Sequence, residues 1–100
     1  ILSNDSEQAY PKEFKLDRVY PNPFNNSALI DFSVPNQSNN NIKITFYDIN
    51  GKVVDEIKNQ FFSKGKHTIA WNASSISNGI YFIELNAGGS RTIQKLTLLK

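Results

Sequence analysis

One stretch of the sequence decides the fold class: residues 28–34 read ALIDFSV. Its apolar residues at even-numbered positions would share one face of a β-strand, because successive side chains point to opposite sides of a strand. Asp31 and Ser33 would then point away from that face. Residues 42–46 and 69–71 repeat the alternation. A strand with one buried face is therefore the unit from which this chain is built.

Seven short apolar stretches, each bounded by Pro, Gly, Asn or Ser, extend this pattern along the chain. They predict strands at residues 14–20, 28–34, 42–47, 53–57, 66–71, 80–85 and 91–99. The dipeptide Asn50-Gly51 lies between two of them and is a strong hairpin signal, because both residues tolerate a positive φ. The sequence thus predicts an all-β fold, a small antiparallel seven-stranded immunoglobulin-like β-sandwich.

The length of 100 residues is typical of one compact domain. Residues 1–13 are polar and lack periodic apolar positions, so we interpret them as a linker or disordered arm, followed by the sandwich domain at residues 14–100. The predicted core consists of the inward-facing apolar residues of the strands: Phe14, Leu16, Ile30, Phe32, Ile42, Ile44, Phe46, Val53, Ile57, Ile69, Trp71, Tyr81, Ile83, Leu85, Leu96 and Leu98.

The composition excludes several kinds of function. The chain has no cysteine, so it has no thiolate nucleophile, zinc–thiolate site or disulfide framework. Its net charge is +2 and the basic residues are spread singly, which disfavours nucleic-acid binding. No apolar run approaches the twenty residues of a membrane-spanning helix, so no membrane span is predicted.

No group of residues matches a catalytic or metal-binding pattern, so we predict a protein that is not an enzyme and needs no cofactor. His67 is the sole imidazole and has no triad partner at a diagnostic spacing, so a structural or solvent-facing role is favoured. Asp55 and Glu56 would face opposite sides of a strand and cannot act as an acid–base pair. The turn at residues 48–51 lacks the ligands of an EF-hand loop, and no metal site is predicted.

Aromatic residues leave one alternative open, a sugar-stacking surface, although packing is their commoner use in a small sandwich. The candidates are Tyr10, Tyr20, Phe24, Tyr47, Phe61, Phe62 and Phe82. Residues 20–25, YPNPFN, form a distinct element, because Pro21 and Pro23 fix φ and remove two amide donors. We expect a rigid crossing between the first two strands, with Phe24 inserted as an anchor.

Several of these fragments together, in this order and spacing, carry a family resemblance. They are LDRVY at 16–20, PNPFN at 21–25, ALIDFSVP at 28–35, ITFYD at 44–48, NG at 50–51, GKHTIAW at 65–71, ISNGIYF at 76–82 and QKLTLLK at 94–100. The chain resembles the type A C-terminal sorting domain of the type IX secretion system of Bacteroidetes, over residues 14–100.

The resemblance implies a non-catalytic sorting signal on a larger secreted protein whose cargo domain lies upstream in the same polypeptide. The cargo would pass through the periplasm and be carried by the type IX outer-membrane translocon, with its shuttle and sortase components, to the outer-membrane surface or the medium. Cleavage would fall within residues 1–13 or upstream. The alternative is a carbohydrate-binding or adhesive accessory module of a secreted protein.

The resemblance also assigns roles to individual residues. The sorting-signal candidates are Gly79, Ile80 and Tyr81 in the penultimate strand and Lys95, Leu96, Leu98 and Lys100 in the last. The structural family motif is Tyr20, Pro21, Asn22, Pro23, Phe24, Gly51, Gly65 and Trp71. Because a terminal strand can leave an open edge for pairing with another chain unless that edge is blocked, we hypothesise that the translocon reads the last strand and its neighbour.

Overall fold

A computed structural model of the protein describes residues 13–35, 41–87 and 89–100. These residues form seven strands: β1 Lys15–Tyr20, β2 Ser27–Val34, β3 Asn41–Tyr47, β4 Val53–Phe61, β5 Gly65–Asn72, β6 Gly79–Ala87 and β7 Ser90–Leu98. Apart from Glu13, the arm predicted at residues 1–13 lies outside the described residues. Within the described ranges, no helix has the length and apolar character needed to span a membrane.

The strands form two antiparallel sheets, with the orders β1-β2-β5 and β4-β3-β6-β7. The apolar faces of the two sheets meet in a single buried cluster. This arrangement confirms the predicted all-β, immunoglobulin-like sandwich. The fourth strand pairs with β3, and so joins the sheet of β6 and β7, whereas in a constant-type immunoglobulin domain it joins the other sheet.

The strand boundaries follow the alternation of the sequence, with one substantial difference. β4 continues to Phe61, four residues beyond its predicted end at residue 57. The extension pairs Phe61 with Asn41 and Gln60 with Ile42. Since these pairs join main-chain groups, the strand continues where the side-chain pattern has already become polar.

The buried cluster contains most of the predicted core, with one error. Val53 is 49% exposed. A register shift pairs Tyr47 with Val53 but Phe46 with Asp55, so a β-bulge places Val54 beside the core instead. The predicted core residues Leu16, Ile57 and Ile69 are only partly buried. The core also contains three residues that the alternation does not single out, namely Val19, Ala73 and Ala87.

The β3–β4 hairpin forms at the predicted place, but its turn differs from the expected one. Gly51 has a φ of 86°, whereas Asn50 has a negative φ. The Gly51 amide donates to the Asp48 carbonyl oxygen at 3.0 Å, and the Asp48 carboxylate accepts from the amides of Asn50 and Lys52. The connection is therefore a β-turn over residues 48–51 in which only the glycine has a positive φ, and not the turn with two positive φ values that the Asn-Gly pair suggests.

Candidate functional site

The sorting-signal candidates come together at one end of the β6–β7 pair. Gly79 pairs with Leu98 and Tyr81 with Leu96, and the ladder continues without a register shift to Ala87 opposite Ser90. Residues 79–81 and 95–100, which we call the signal end, therefore lie side by side. Antiparallel pairing of two consecutive strands brings them together although they are far apart in sequence.

Side-chain direction divides the signal end into two sets. Tyr81, Leu96 and Leu98 face the core and are buried, so a partner cannot contact them in the folded domain. Ile80 is 38% exposed and Lys95 is exposed, and both point outward from the sheet. The folded signal end thus presents an apolar and a cationic side chain on one outer face.

Tyr81 fixes the corner that leads into β6. Its hydroxyl donates to the Ser77 carbonyl oxygen at 2.5 Å. Its ring lies beside Gly79, because a Cβ atom added at that glycine would be 3.7 Å from the ring. This hydrogen bond to the backbone four residues upstream resembles the tyrosine corner of immunoglobulin-like domains. Tyr81 therefore has a structural role within the signal end.

The proline-rich stretch connects the two sheets. The peptide bonds preceding Pro21 and Pro23 are both cis. The Phe24 amide donates to the Thr97 carbonyl oxygen and the Leu99 amide donates to the Phe24 carbonyl oxygen, each at 2.9 Å. These bonds form a parallel bridge between Phe24 and Leu98. The predicted crossing is thus also a partner of the last strand.

Phe24 is the anchor expected from the sequence. Its side chain is 2% exposed and its ring centroid lies 5.5 Å from that of Trp71. Because Trp71 belongs to the opposite sheet from β7, the Phe24 ring fills the space between the sheets while its backbone pairs with the edge of β7.

The Asn22 side chain extends this pairing along β7. Its Oδ1 atom accepts a hydrogen bond from the Thr97 amide at 3.0 Å, and its Nδ2 atom donates to the Lys95 carbonyl oxygen at 3.3 Å. With the Phe24 backbone, it occupies the outer edge of β7 from Lys95 to Leu99. The open edge that a terminal strand can leave is therefore blocked along this part of β7, because the chain itself covers the edge.

The last residue is held as well. The Lys100 amide donates to Asn78 Oδ1 at 2.9 Å, and its Nζ atom donates to the Ser74 carbonyl oxygen at 2.7 Å. Both acceptors belong to the connection between β5 and β6. Sequence reasoning did not single out Ser74 or Asn78, since no local pattern shows which connection the chain end will reach.

The remaining motif residues have structural partners. Tyr20 donates from its hydroxyl to Asp31 Oδ1 at 3.2 Å, and the Arg18 guanidinium lies 4.1 Å above the Tyr20 ring. Hydrogen bonds from Thr68 and Arg18 lower the pKa of Asp31. Gly65, at the start of β5, has a φ of 120°.

The family of this chain is identified by its amino-acid sequence. The sequence model of the secretion system C-terminal sorting domain matches residues 18–99. The chain belongs to this family. A search of curated protein sequences found no match. The matched region of the sorting domain includes the crossing, the β3–β4 turn and both strands of the signal end.

The sorting domain is a type IX secretion signal, which implies a protein exported to the cell surface or the medium. Its family is in general non-catalytic. The structure separates Asp55 from Glu56 as the alternation predicts: Asp55 accepts from Trp71 inside the sandwich, while Glu56 pairs with Lys43 at 3.3 Å. In the described ranges, no three His, Asp or Glu side chains are grouped as metal ligands would be.

His67 has a packing role in the sorting domain. Its ring stacks on Phe32 at a centroid distance of 5.5 Å and meets the edge of Phe62 at 5.2 Å. Its Nε2 atom lies 2.7 Å from the Ser63 carbonyl oxygen. These contacts agree with the structural role that the sequence favours for this imidazole.

The aromatic candidates for sugar stacking that the structure describes do not share one surface. Phe24 is buried, Phe62 packs on Phe32, and the Tyr20 ring is covered by Arg18. Tyr10 lies outside the described residues. The others are Phe61, which is exposed, and the cross-strand neighbours Tyr47 and Phe82.

Sequence reasoning missed one buried charge on the outer face of the larger sheet. Glu84 is 6% exposed, accepts a hydrogen bond from Tyr47 at 2.9 Å and forms an ion pair with Arg91. Burial raises the pKa of Glu84, but the bonds from Arg91 and Tyr47 outweigh it, so the pKa lies below its usual value. No local signal could reveal this cluster, because its members come from three strands.

Proposed function

We propose that this domain directs a larger cargo protein, joined upstream in the same polypeptide, through the type IX outer-membrane translocon to the cell surface or the medium. Membership of the sorting-domain family supports the general role. Recognition by the translocon is supported by one observation: residues 79–81 and 95–100 lie side by side at one end of the β6–β7 pair.

Recognition uses the outward-facing side chains of the signal end. Among the seven candidates, Ile80, Lys95 and Lys100 have exposed side chains, and the ammonium group of Lys100 is bonded to the Ser74 carbonyl oxygen. Ile80 and Lys95 are therefore the two that point outward from the sheet without such a bond, whereas Tyr81, Leu96 and Leu98 keep the two strands on the core. The translocon or its shuttle component binds the exposed pair after the domain has folded in the periplasm. Tyr81, Leu96 and Leu98 contribute by stabilising the fold that positions the exposed pair.

The arm at residues 1–13 connects the cargo to the folded domain at residues 14–100. Its polar composition suits a segment that a sortase can reach, since a cleavable peptide must be presented in extended form. Cleavage there or upstream leaves the cargo on the surface or frees it.

The test fuses residues 1–100 to a fluorescent cargo with an export leader in a type IX host. Deleting residues 95–100 should abolish surface delivery, but the deletion also removes core leucines. A pair of surface variants therefore decides the question. Ile80→Ser with Lys95→Ala should reduce delivery, while the free energy of unfolding stays within about 1 kcal/mol of the wild-type value.

The matched control lies on the outer face of the other sheet. Leu29 is 40% exposed, close to the 38% of Ile80, and Lys66 is exposed like Lys95. Leu29→Ser with Lys66→Ala should leave delivery unchanged. Equal delivery by both double variants would contradict recognition through Ile80 and Lys95, and normal delivery after the deletion would contradict the sorting role of this domain.

A further inference from the structure

We infer that Asn22 is a positioning residue for the sorting signal: its side chain holds the end of β7 in place and closes the edge of that strand. This inference rests on the proposed function for its biological consequence, while its structural part stands on geometry alone. It gives a role to the asparagine between the two prolines of the crossing.

Several main-chain groups of β7 point outward, away from β6. Thr97 uses both its amide and its carbonyl on the outer edge, Lys95 its carbonyl and Leu99 its amide. Outward-pointing groups therefore belong to alternate residues, as they do in any strand. The edge at this end of β7 is a complete row of donors and acceptors, which would pair with another strand if it were left open.

The crossing forms hydrogen bonds with these outward-pointing groups in two ways, through the backbone of Phe24 and through the side chain of Asn22. Phe24 contributes its own amide and carbonyl, and so acts as one residue of a parallel strand. Further along, the position that would continue the ladder is Asn22, and its backbone makes no hydrogen bond to β7. The Asn22 carboxamide supplies the missing pair, because its Oδ1 and Nδ2 atoms reproduce the acceptor and the donor of a peptide group.

This arrangement has a consequence for the signal. The two residues that Asn22 holds both lie in the signal end: Thr97 is the cross-strand partner of Ile80, and Lys95 carries the exposed cationic side chain. If the end of β7 frayed, Lys95 would lose its fixed position relative to Ile80. Asn22 thus keeps Ile80 and Lys95 in a single arrangement by holding the backbone of β7.

The chain provides a matched pair of variants for the test. Asn22→Leu keeps the approximate size of the side chain and removes both hydrogen bonds. Asn22→Asp keeps an oxygen acceptor for the Thr97 amide and removes the donor to Lys95. Asn25→Leu is the control, because Asn25 is exposed in the same connection and its side chain makes none of the hydrogen bonds of the crossing.

The first measurement is amide hydrogen exchange on the whole chain. Exchange at Thr97 should become about tenfold faster in Asn22→Leu and change less in Asn22→Asp, because loss of one hydrogen bond raises the local opening constant by about this factor. Amides of β2 and β5 should not change in either variant. Unchanged exchange at Thr97 in Asn22→Leu would overturn the inference, whatever the secretion result.

The second measurement separates positioning from general stability. Val34→Ala removes buried volume in the other sheet, and the growth temperature is chosen so that it and Asn22→Leu have the same folded fraction. At that temperature, delivery of the fluorescent cargo should be lower with Asn22→Leu than with Val34→Ala or Asn25→Leu. Equal delivery by Asn22→Leu and Val34→Ala would show that Asn22 acts only through stability and would overturn the positioning role.

The two proposals fail in different ways. If the wild-type domain does not deliver the cargo, the proposed sorting function is wrong, and the exchange data still report whether Asn22 holds β7. If the wild-type domain delivers the cargo and Asn22→Leu behaves like its stability-matched control, only the positioning role is lost.

Discussion

Trp71 and Asp55 join the two sheets: the indole Nε1 atom of Trp71 in β5 donates to Oδ2 of Asp55 in β4 at 2.8 Å. The indole also stacks on Phe46, with centroids 3.9 Å apart and planes 10° apart. This domain has no cysteine. An aromatic stack with one polar contact therefore links its sheets where antibody domains use a tryptophan packed on a disulfide.

Trp71→Ala should lower the free energy of unfolding by about 3–5 kcal/mol, because it leaves a cavity among Phe24, Phe46 and Tyr81. Trp71→Phe should cost less, since it keeps part of the stack and removes only the indole donor to Oδ2 of Asp55. Denaturant titration monitored by circular dichroism measures both. A midpoint for Trp71→Ala equal to that of the wild type would contradict its place in the core.

Glu84 should make the domain sensitive to acid. Burial works against its charged form, but hydrogen bonds from Arg91 and Tyr47 lower its pKa below the usual 4.5. A carboxyl group whose pKa is lower in the folded state stabilises the fold above its usual pKa, and this contribution disappears as the pH falls through the folded-state value.

When the pH is lowered from about 6 to about 3, the free energy of unfolding should therefore decrease less for Glu84→Gln than for the wild type. Tyr47→Phe should fall between the two, because it removes one of the donors that favour the carboxylate. Denaturant midpoints across this range provide the measurement. Parallel pH curves for the wild type and Glu84→Gln would exclude a stabilising role for this carboxylate.

The β3–β4 turn should tolerate change at Asn50 and resist it at Gly51. Gly51→Ala should cost about 1–2 kcal/mol, because an L-residue is strained at a φ of 86°. Asn50→Ala should change stability by less than about 0.5 kcal/mol, since only its main-chain amide is used in the turn. Thermal unfolding of the two variants checks the difference, and equal losses would rule out the turn described above.

Tyr81→Phe separates a structural member of the signal end from a recognised one. Loss of the hydroxyl leaves the Ser77 carbonyl oxygen without its donor and should cost about 1 kcal/mol. Because the ring remains buried, cargo delivery per folded molecule should match the wild type. A variant of full stability that fails to deliver cargo would show instead that the hydroxyl itself is recognised.

Local patterns predicted the strands because burial of one sheet face acts at every second residue. Residues 28–34 and 42–47 show this alternation clearly and form β2 and β3 within one residue of the predicted bounds. The same alternation wrongly predicts Val53 as a core residue, because the bulge that turns its side chain outward arises from pairing with β3. An extra residue in a ladder changes which side chains face the core, and alternation within one strand does not reveal it.

By itself, the sequence determined the all-β class, the seven strands and the sorting-domain family, since these depend on periodicity, turn residues and an ordered set of motifs. Only the tertiary structure decided that Phe24 pairs with Leu98 and that Asn22 caps β7. Those contacts join residues more than seventy positions apart. Hydrogen bonding between such distant segments depends on how the two sheets pack, which no local pattern encodes.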